Sequence, residues 1–558
     1  MKTTIANRKT AAEVIIYLLA KWFPELEIIS CETDQTFFSC EFFIKKAIDE
    51  QFFPHFEREI KEFIKEGKEI KLLEMTRSNA IDMFHYYQLD DQVERLENLS
   101  DGLVSIVQID DFFNLCKGPI VSFSNEIGVV KLLELETLPS KPFEMVRQRI
   151  TGTVFDNLQS LKQFLKRYDQ YKKKDHRLLG PQMGLLTSLD DDNTWIWEEK
   201  GVILKKIIKQ NWEQSIQKLG FQIIQTPRVL NKSFEKGKQK TLEKEWFEDS
   251  EYFYTQNLKF AHALYFKSKK RSYLDLPFKI AEWTQGISLK EYPMRKGLYH
   301  PISFECEEAH IFCNPSSVEK ELISSLQFIK KIAKILDFES HYIMRLRGPK
   351  HIGSLEAWDK AERWIKTALS TLGIQYELGD KPSQEGPKLE LYFKNSLGEY
   401  WLGAYLGINF RLAEQFDLQY QEKNDEMQRP IVLEISSFTV VDRIIALLIE
   451  KGIPFSLIPS QVKVVSVGVK QISYAQHVQM MLKESGLRVG VDFTDRPLQT
   501  KFIEAELEKV PYLIFVGEKE EKTKTISVRE LKNNEKRIGI KIESFLEKIS
   551  QEEILVEE

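Results

Sequence analysis

The stretch AEWTQGISLKEYPMRKGLYHPISFECEEAHIFC, residues 281–313, lies within a long region whose pattern is mixed α+β. Before it, WEEKGVILKKIIKQNWEQSIQKLG has apolar residues at helical spacing and predicts a long helix that ends at Gly220. The strand-like run FQIIQTP follows directly. The stretch is therefore predicted to lie inside an α+β domain.

The same pattern continues after the stretch. Ser316 and Glu319 have the S-x-x-E spacing of a capping box and predict a helix that extends to about residue 336. Residues 354–373 predict another helix, and KLELYFK and WLGAYLGINF predict strands. We assign residues 186–458 to this domain.

The two ends of the chain have patterns of their own. Helical spacing in residues 8–22 and in EREIKEFIKEGKEIK, with antiparallel strands over 103–136, predicts a separate α+β domain over 1–154. A charged linker helix is predicted over 155–185. Near the other end, VKVVSVGV, LRVGVDF and PYLIFVG alternate with helical segments, which predicts an α/β domain with parallel strands over 459–558.

Composition limits the classes of function. The chain has 558 residues and a net charge of −5, so RNA contacts would need local basic patches such as KRYDQYKKKDHR. Five cysteines without a CxxC pair favour a reducing compartment and argue against a disulfide framework. No uncharged run reaches the ~18 residues of a transmembrane helix. We expect a cytoplasmic protein with no DNA or membrane partner.

Several segments, collinear along the chain, resemble a known family. KKKDHRLLG, the stretch 281–313, HIGSLEAWDKAE and GPKLELYFKNSLGEYW resemble the catalytic core of threonyl-tRNA synthetases, which are class II aminoacyl-tRNA synthetases. DDFFNLCKGPIV resembles the family's editing domain, and the segments from VKVVSVGV to TISVRE resemble its anticodon-binding domain. The resemblance implies an α+β multidomain fold with an antiparallel-sheet class II core. We expect a degenerate paralogue that lacks the ubiquitin-like N-terminal domain of many members.

The resemblance places the family's zinc site, which holds threonine through one cysteine and two histidines, at Lys259, His310 and Glu434. A lysine ammonium cannot serve where a soft thiolate is needed, so we expect no zinc. Instead, Lys259 and Glu434 should form an ion pair across the former metal site. His310 should lie nearby as a core histidine with satisfied hydrogen bonds.

The nucleotide site implied by the resemblance has lost two of its cations. Two arginines that bind ATP phosphates correspond to Ser288 and His300, and a tyrosine of the site corresponds to Glu385. Because adenylate formation gathers negative charge at the phosphates, we expect amino-acid activation to be lost. The remnants of this constellation are Phe304, Glu308, His310, Lys388 and Arg443.

The editing site implied by the resemblance has changed in the same way. Two histidines of its first helix correspond to Lys9 and Glu13, and a third corresponds to Ile120, which leaves Cys116 as a remnant. The i, i+4 spacing of Lys9 and Glu13 is that of an ion pair on a helix surface. We expect no deacylation of mischarged tRNA.

Anticodon recognition is better supported. Glu520 and Arg529 correspond to positions that the family uses near the anticodon bases. An arginine can hydrogen-bond the edge of a base that is splayed out of a loop. The alternative interpretation is that both residues are ordinary surface charges.

Three functions remain open. The first is a pseudosynthetase without cofactors that binds tRNA or a protein partner, as a homodimer or as a heterodimer with an intact synthetase. The second is a zinc-independent threonine–tRNA ligase that uses ATP and magnesium. The third is ATP-dependent activation of another small acid, in a pocket reshaped by Lys259, Lys290 and Glu434.

Overall fold

The computed structural model describes residues 4–97, 102–138, 145–189, 194–231, 252–254, 258–288 and 297–557. It divides into two compact units. The first ends at Lys172, and the second contains the described residues from Lys173 onward. No helix in these described ranges is long and apolar enough to cross a membrane.

The first unit packs helices against two antiparallel sheets. Its helices are α1 (Ile5–Trp22), α2 (Phe53–Glu66), α3 (Arg77–Tyr86), α4 (Asp90–Glu97) and α5 (Leu158–Lys174). Its strands are β1 (Glu27–Thr33), β2 (Phe37–Ile44), β3 (Lys71–Thr76), β4 (Leu103–Ile109), β5 (Phe112–Leu115), β6 (Val129–Leu138) and β7 (Val146–Phe155). The sheets have the orders β1-β2-β7-β6 and β3-β4-β5. The strands predicted over 103–136 are confirmed.

Helix α1 is buried around its whole circumference. Every residue from Arg8 to Leu19 is buried, including Lys9, Glu13 and Thr10. Its apolar side chains join one core with those of β1, β2 and α2. The helical spacing over residues 8–22 is confirmed, but the helix does not have the exposed polar face that such spacing usually gives.

The second unit contains the remaining elements. Its helices are α6 (His176–Gln182), α7 (Glu199–Lys218), α8 (Leu258–Lys267), α9 (Val318–Ile335), α10 (Leu355–Thr371), α11 (Phe410–Gln415), α12 (Val441–Lys451), α13 (Ile472–Glu484), α14 (Leu498–Leu507), α15 (Glu518–Thr523) and α16 (Ile542–Glu557). Its strands are β8 (Leu186–Ser188), β9 (Trp195–Trp197), β10 (Gln222–Ile223), β11 (Val229–Asn231), β12 (Tyr252–Tyr254), β13 (Phe278–Ile287), β14 (Ser303–Cys313), β15 (Ser340–Arg345), β16 (Glu377–Leu378), β17 (Lys388–Lys394), β18 (Tyr400–Asn409), β19 (Tyr420–Gln421), β20 (Met427–Gln428), β21 (Ile431–Ser436), β22 (Val462–Ser466), β23 (Val489–Asp492), β24 (Tyr512–Val516), β25 (Ile526–Glu530) and β26 (Glu535–Ile540).

The stretch 281–313 contributes to an eight-stranded sheet with the order β10-β13-β14-β21-β18-β17-β15-β16. Strands β13 and β14 pair antiparallel, with Glu282 opposite Glu308 and Gly286 opposite Phe304. The neighbours β14, β21, β18, β17 and β15 are antiparallel as well. The stretch therefore supplies two central strands of the sheet that the resemblance implied.

The C-terminal part forms a separate five-stranded sheet with the order β23-β22-β24-β25-β26. Strand β22 is parallel to both β23 and β24, whereas β24, β25 and β26 are antiparallel. Helices α13 and α14 connect the parallel strands. The predicted α/β pattern of the C-terminal region is confirmed.

Two local predictions differ from the structure. The N-cap of α9 is Ser317 rather than Ser316, and no side chain caps the helix, because the Ser317 hydroxyl donates to Asn314 instead. Residues 155–185 contain two helices, α5 and α6. They are separated at Asp175, whose carboxylate accepts the Arg177 backbone N–H and caps α6.

Candidate functional site

One face of the eight-stranded sheet is covered by the main core, and the other, the polar face, carries polar residues beside a smaller apolar cluster that includes Ile280, Phe312 and Val432. Successive side chains of a strand point to opposite faces. On β14, Ala309, Ile311 and Cys313 belong to the core that α9, α10 and α12 share. The alternating residues of β14, including Glu308 and His310, therefore lie on the other face. The polar face is where the sequence-predicted site residues of this domain come together.

Lys259, His310 and Glu434 meet on this face. His310 and Glu434 are directly opposite each other on β14 and β21, and Lys259 reaches them from α8. The Glu434 Oε1 atom lies 3.9 Å from the Lys259 Nζ atom and 4.0 Å from the His310 Nε2 atom. The geometry of the expected Lys259–Glu434 ion pair is thus present in the structure.

The nearest carboxylate to Lys259 is nevertheless Glu385, whose Oε2 atom lies 2.8 Å from Nζ. Burial alone would lower the pKa of the Lys259 ammonium, but the carboxylates of Glu434 and Glu385 outweigh it and raise that pKa. Burial would raise the pKa of Glu385, yet Lys259 and Arg411 lower it. Lys259 is therefore held as a cation between two carboxylates, one more than the sequence predicted.

His310 is only half satisfied, which corrects the expectation for it. Its Nδ1 atom lies 2.8 Å from the Nδ1 atom of His262, whose Nε2 atom lies 3.3 Å from Glu282. Thr226 donates to the same Glu282 carboxylate. The His310 Nε2 atom is buried and has no hydrogen-bond partner within the part of the chain that the structure describes. Sequence reasoning missed His262, although it lies one helical turn after Lys259.

The residues at this point do not fit a zinc ion. The Lys259 ammonium has three N–H donors and no free lone pair, and its raised pKa keeps it protonated. Zinc needs deprotonated or neutral N, S or O ligands around an open centre. Here the Glu434 carboxylate lies near both Lys259 and His310, and the Asn409 amide donates a hydrogen bond to it.

The positions that the resemblance assigns to phosphate-binding arginines are Ser288, His300 and Arg443, and their side chains are arranged differently from Lys259, His310 and Glu434. Ser288 is at the end of β13, and its N–H donates to the Ile302 carbonyl. His300 packs edge-to-face on Trp401, with ring centroids 5.2 Å apart. Arg443 donates to the Tyr299 and Leu402 carbonyls at 3.2 and 3.3 Å. Lys290 lies outside the described residues.

The other remnants of the site share one aromatic residue. The Lys388 Nζ atom lies 3.7 Å from the centroid of the Tyr405 ring, and the Tyr405 hydroxyl donates to Glu308 at 2.7 Å. The Phe304 ring lies against Gly286, where an added Cβ would be 2.6 Å from it. Sequence reasoning did not find Tyr405, because only the strand pairing places it between Lys388 and Glu308.

Glu307 holds the turn between β21 and α12. Its carboxylate accepts hydrogen bonds from the Ser437 N–H, the Ser437 hydroxyl and the Phe438 N–H. Complete burial raises the pKa of Glu307 to about 7, against the lowering effect of these bonds. The sequence contains no motif that singles out this residue.

This pKa predicts a pH dependence of stability. Between pH 4.5 and about 7 the folded chain holds a proton on Glu307 that the unfolded chain lacks, so stability falls as pH rises through that window. Glu307→Gln mimics the protonated form. We expect the wild type to lose about 2 kcal/mol more than this variant between about pH 5.5 and about pH 7.5. Urea unfolding at several pH values measures this difference, with Glu356→Gln at an exposed site as the control. Parallel curves for wild type and Glu307→Gln would contradict it.

Lys9 and Glu13 lie in the first unit and are not a surface pair, which corrects the sequence-based expectation. Only 4% of Lys9 and 0% of Glu13 is exposed, and the Lys9 Nζ atom lies 3.3 Å from Glu13 Oε1. Lys9 also donates to the Cys31 carbonyl, and Asn114 donates to Glu13. The pair was expected on the surface because i, i+4 spacing does not show which side of a helix is covered.

Cys116 and Ile120 belong to the same core as this pair. Burial and the Glu13 carboxylate raise the pKa of the Cys116 thiol well above its ordinary value. A protonated, buried thiol is neither a nucleophile nor a base at neutral pH. The remnant cysteine therefore has a structural environment.

Glu520 and Arg529 are both engaged within the C-terminal sheet region. Glu520 accepts hydrogen bonds from the Gly517 N–H and the Ser527 hydroxyl. Arg529 donates to Asn534, and its guanidinium lies 3.8 Å from the centroid of the Phe502 ring. The structure gives Glu520 a local capping role and holds Arg529 in a fixed, half-buried position.

One cluster of metal-ligating residue types occurs elsewhere among the described residues: Asp175, His176 and Glu450, all buried. His176 and Glu450 are 2.8 Å apart, His176 accepts the Leu298 N–H, and the Tyr299 hydroxyl donates to Glu450. The Arg177 guanidinium donates a hydrogen bond to the Asp175 carboxylate. These hydrogen bonds fix α6 and α12 around residues 297–299 and account for the cluster without a metal.

Two family descriptions match this chain. Residues 241–452 match the class II core domain of tRNA synthetases (G, H, P, S and T), and residues 461–552 match the anticodon binding domain. Threonine–tRNA ligases from Clostridium botulinum (strain Loch Maree / Type A3) and Acetivibrio thermocellus are 28% and 27% identical to it. Each alignment covers 98% of this chain and 88% of the relative.

Solved structures agree on the fold. The RNA binding domain of a threonyl-tRNA synthetase from Cryptosporidium parvum Iowa II superposes with a TM-score of 0.61 and 24% identity, over 68% of this chain and 98% of that one. A prolyl-tRNA synthetase from Cryptosporidium parvum gives a TM-score of 0.54 and 15% identity, and the match covers 69% of this chain and 76% of that one. The predicted α+β multidomain fold, with a class II core and a C-terminal anticodon-binding domain, is confirmed.

Proposed function

Because this chain belongs to the threonyl-tRNA synthetase family of class II aminoacyl-tRNA synthetases, we propose that it binds tRNA without activating threonine or editing mischarged tRNA. The proposal separates the two abilities of the family. Recognition of tRNA uses the anticodon-binding domain, whereas activation uses the polar face of the class II core. Function depends on the site residues more than on the fold, so the two can be lost independently.

The arrangement of Arg443 carries the proposal. This arginine is the one retained phosphate-binding candidate of the three, and it donates to two main-chain carbonyls, those of Tyr299 and Leu402. Its guanidinium also lies 5.5 Å from the Trp401 ring centroid. These contacts use the Nε and one Nη of the guanidinium, which leaves fewer of its five N–H donors for the phosphates of ATP.

The other two positions strengthen the case. Ser288 carries no charge, and His300 packs on Trp401. A preorganised group at a developing negative charge contributes about 3–4 kcal/mol to transition-state stabilisation. Loss of two such groups, with the third engaged elsewhere, is expected to reduce adenylate formation below detection. The carboxylates around Lys259, which include those of Glu385 and Glu434, further disfavour binding of the ATP phosphates because they carry the same sign of charge.

Editing is disfavoured by the replacement of its histidines. Lys9 and Glu13 form a buried ion pair, and the Cys116 thiol has a raised pKa. The pKa values of Lys9 and Cys116 are both raised above their ordinary values, so neither group is a base with a pKa near neutrality, which general-base catalysis requires.

Arg529 supports a retained contact with RNA. Its guanidinium is stacked on Phe502 and fixed by Asn534, so its remaining N–H groups point in a set direction. Fixed guanidinium groups of this kind recognise bases that are splayed out of RNA loops. We propose tRNA as the main partner and a dimer, with a second copy or with an intact synthetase, as the functional form.

ATP–pyrophosphate exchange with each of the twenty amino acids tests the catalytic half of the proposal. We expect no exchange above the protein-free background, beside an intact threonine–tRNA ligase as the positive control. Exchange that depends on threonine would establish a zinc-independent ligase instead. Exchange with a different acid would establish the activation of another small molecule.

Filter binding of unfractionated tRNA at several salt concentrations tests the RNA half. We expect affinity to fall steeply with salt, because contacts to phosphates release counterions. Arg529→Ala should weaken binding, whereas Arg537→Ala, an exposed arginine on the neighbouring strand, should leave it unchanged. Equal binding by both variants, or none by the wild type, would refute the proposed RNA contact.

A further inference from the structure

We propose that the Lys259 ammonium is an internal cation that replaces a metal ion in this chain, and that the polar frame of a metal site survives around it. The inference concerns residues 259, 310 and 434 and goes beyond the proposed function. It holds or fails whether or not the chain binds RNA. Its experiment measures metal content and uses no aminoacylation assay.

Charge compensation is the first step. Lys259 is largely but not fully buried, with 16% of its side chain exposed, and Glu434 is buried, with 9% of its side chain exposed. A buried cation needs opposite charges and hydrogen bonds close by. Lys259 has Glu385 at 2.8 Å and Glu434 at 3.9 Å. The electrostatic role that a metal ion would have at this point, which is to neutralise the surrounding acceptors, is met by the ammonium.

The tautomer of His310 is the second step. The His262 Nε2 atom faces the Glu282 carboxylate, which can only accept, so His262 carries its proton on Nε2. Its unprotonated Nδ1 atom then accepts a hydrogen bond from the Nδ1–H group of His310, and the two nitrogen atoms lie 2.8 Å apart. The His310 Nε2 atom is therefore left with a free lone pair.

That lone pair has no donor to bond. The Nε2 atom is buried without a hydrogen-bond partner in the described ranges, and the Glu434 carboxylate, itself an acceptor, lies 4.0 Å away. An oriented imidazole lone pair, with its other nitrogen fixed by a second histidine and a carboxylate, is the usual form of a metal-binding histidine. One ligand and its supporting hydrogen bonds are thus in place, and the other two positions hold an ammonium and a carboxylate.

Two substitutions should therefore restore a metal site. Lys259→Cys removes the internal cation and adds a thiolate, and Glu434→His adds an imidazole directly opposite His310 in the sheet. Glu385 would keep the Arg411 side chain at 3.3 Å and the Asn409 amide at 3.0 Å after Lys259 is removed. The three ligands then match the thiolate and two imidazoles that zinc prefers.

Metal titration of the purified chain tests the proposal. Cobalt(II) is the probe, because a tetrahedral site with a thiolate ligand gives visible absorption and a thiolate-to-metal charge-transfer band. Lys259→Cys/Glu434→His is expected to bind one cobalt or zinc ion per chain. Each single variant should bind at least about tenfold more weakly, and the double variant with His310→Ala added should lose the site.

The wild type provides the measurement that does not depend on how variants fold. It should contain no stoichiometric zinc, and a chelator should leave its melting temperature unchanged. Lys259→Met/Glu434→Gln is the matched control, which removes the same charges without adding ligands and should bind no cobalt. Stoichiometric zinc in the wild type would overturn the proposal, as would a folded double variant that binds no metal.

Discussion

Replacing Glu13 with alanine is expected to lower the free energy of unfolding of the first unit by about 3–5 kcal/mol, because it leaves Lys9 buried without its counter-charge. Lys9 is 4% exposed and lies 3.3 Å from Glu13. The variant would also remove the acceptor of the Asn114 amide. Two buried donors would then lose their partner at once, which is among the most destabilising changes that a single substitution makes.

The double variant Lys9→Met/Glu13→Leu is the matched control. It removes the donor charge and the acceptor charge together and keeps apolar volume in the core, so it should recover most of the loss. Hydrogen exchange of the amides of α1 measures the effect locally, since a chain of two units need not unfold in one step. An exchange rate in Glu13→Ala that is close to that of the wild type would show that water already reaches Lys9.

The pH dependence of this pair has a definite sign. Burial alone would lower the pKa of Lys9, but Glu13 and the neighbouring cysteines raise it above its ordinary value of 10.5. Its contribution is therefore fully present below that value and is lost only as pH rises through the raised pKa. The difference between wild type and Glu13→Ala should stay constant across neutral pH.

Regular elements were predicted well from sequence where the pattern is local. KLELYFK is β17 from end to end, and residues 354–373 contain α10, which begins after the Ser354 cap and is followed by Gly373 in a left-handed conformation. Helix periodicity and glycine stops depend on neighbouring residues, so the sequence carries them. The Ser316 capping box failed because the helix begins one residue later, at an N-cap Ser317 whose backbone is already helical, and both serine hydroxyls donate to Asn314.

The sequence indicates which residues of the candidate site lie close together, but not which of them form hydrogen bonds or ion pairs with each other. The resemblance correctly brings Lys259, His310 and Glu434 together, yet the closest partner of Lys259 is Glu385, which precedes β17. Likewise, Tyr405 joins Lys388 to Glu308 only because β18 lies between β21 and β17 in the sheet. Partners that depend on strand order cannot be read from one sequence.

The two sites that the resemblance implies, one in each unit, contain a similar arrangement of charges. In the first unit Lys9 pairs with Glu13, and in the second unit Lys259 lies between Glu385 and Glu434. Lys9 is buried, Lys259 is half-buried, and each has a raised pKa. An ion pair can occupy a polar cavity while the surrounding strands stay in place, whereas an apolar replacement would require the core to be repacked.

Tight backbone contacts beside the site should be intolerant of change, and Gly386 is the sharpest case. A Cβ at this position would lie 1.7 Å from the Ile408 carbonyl oxygen. That carbonyl belongs to β18, and the Ile408 N–H donates to Pro387, so neither backbone can give way without separating β17 from β18. Gly386→Ala is therefore expected to cost about 3 kcal/mol or more.

Gly373→Ala is the matched control for Gly386→Ala. Gly373 has a φ of +63° and no atom within 4 Å of an added Cβ, so it should cost only about 1 kcal/mol, through the left-handed backbone alone. Urea unfolding of the second unit, followed by hydrogen exchange of the β17 and β18 amides, measures both. If the two variants lost equal stability, the contact between Gly386 and Ile408 would not be a constraint, because backbone strain alone would account for both losses. A larger loss confined to the Gly386 variant would show that the fold requires the close packing of β17 on β18, which holds Lys388, Tyr405 and Glu385 in place.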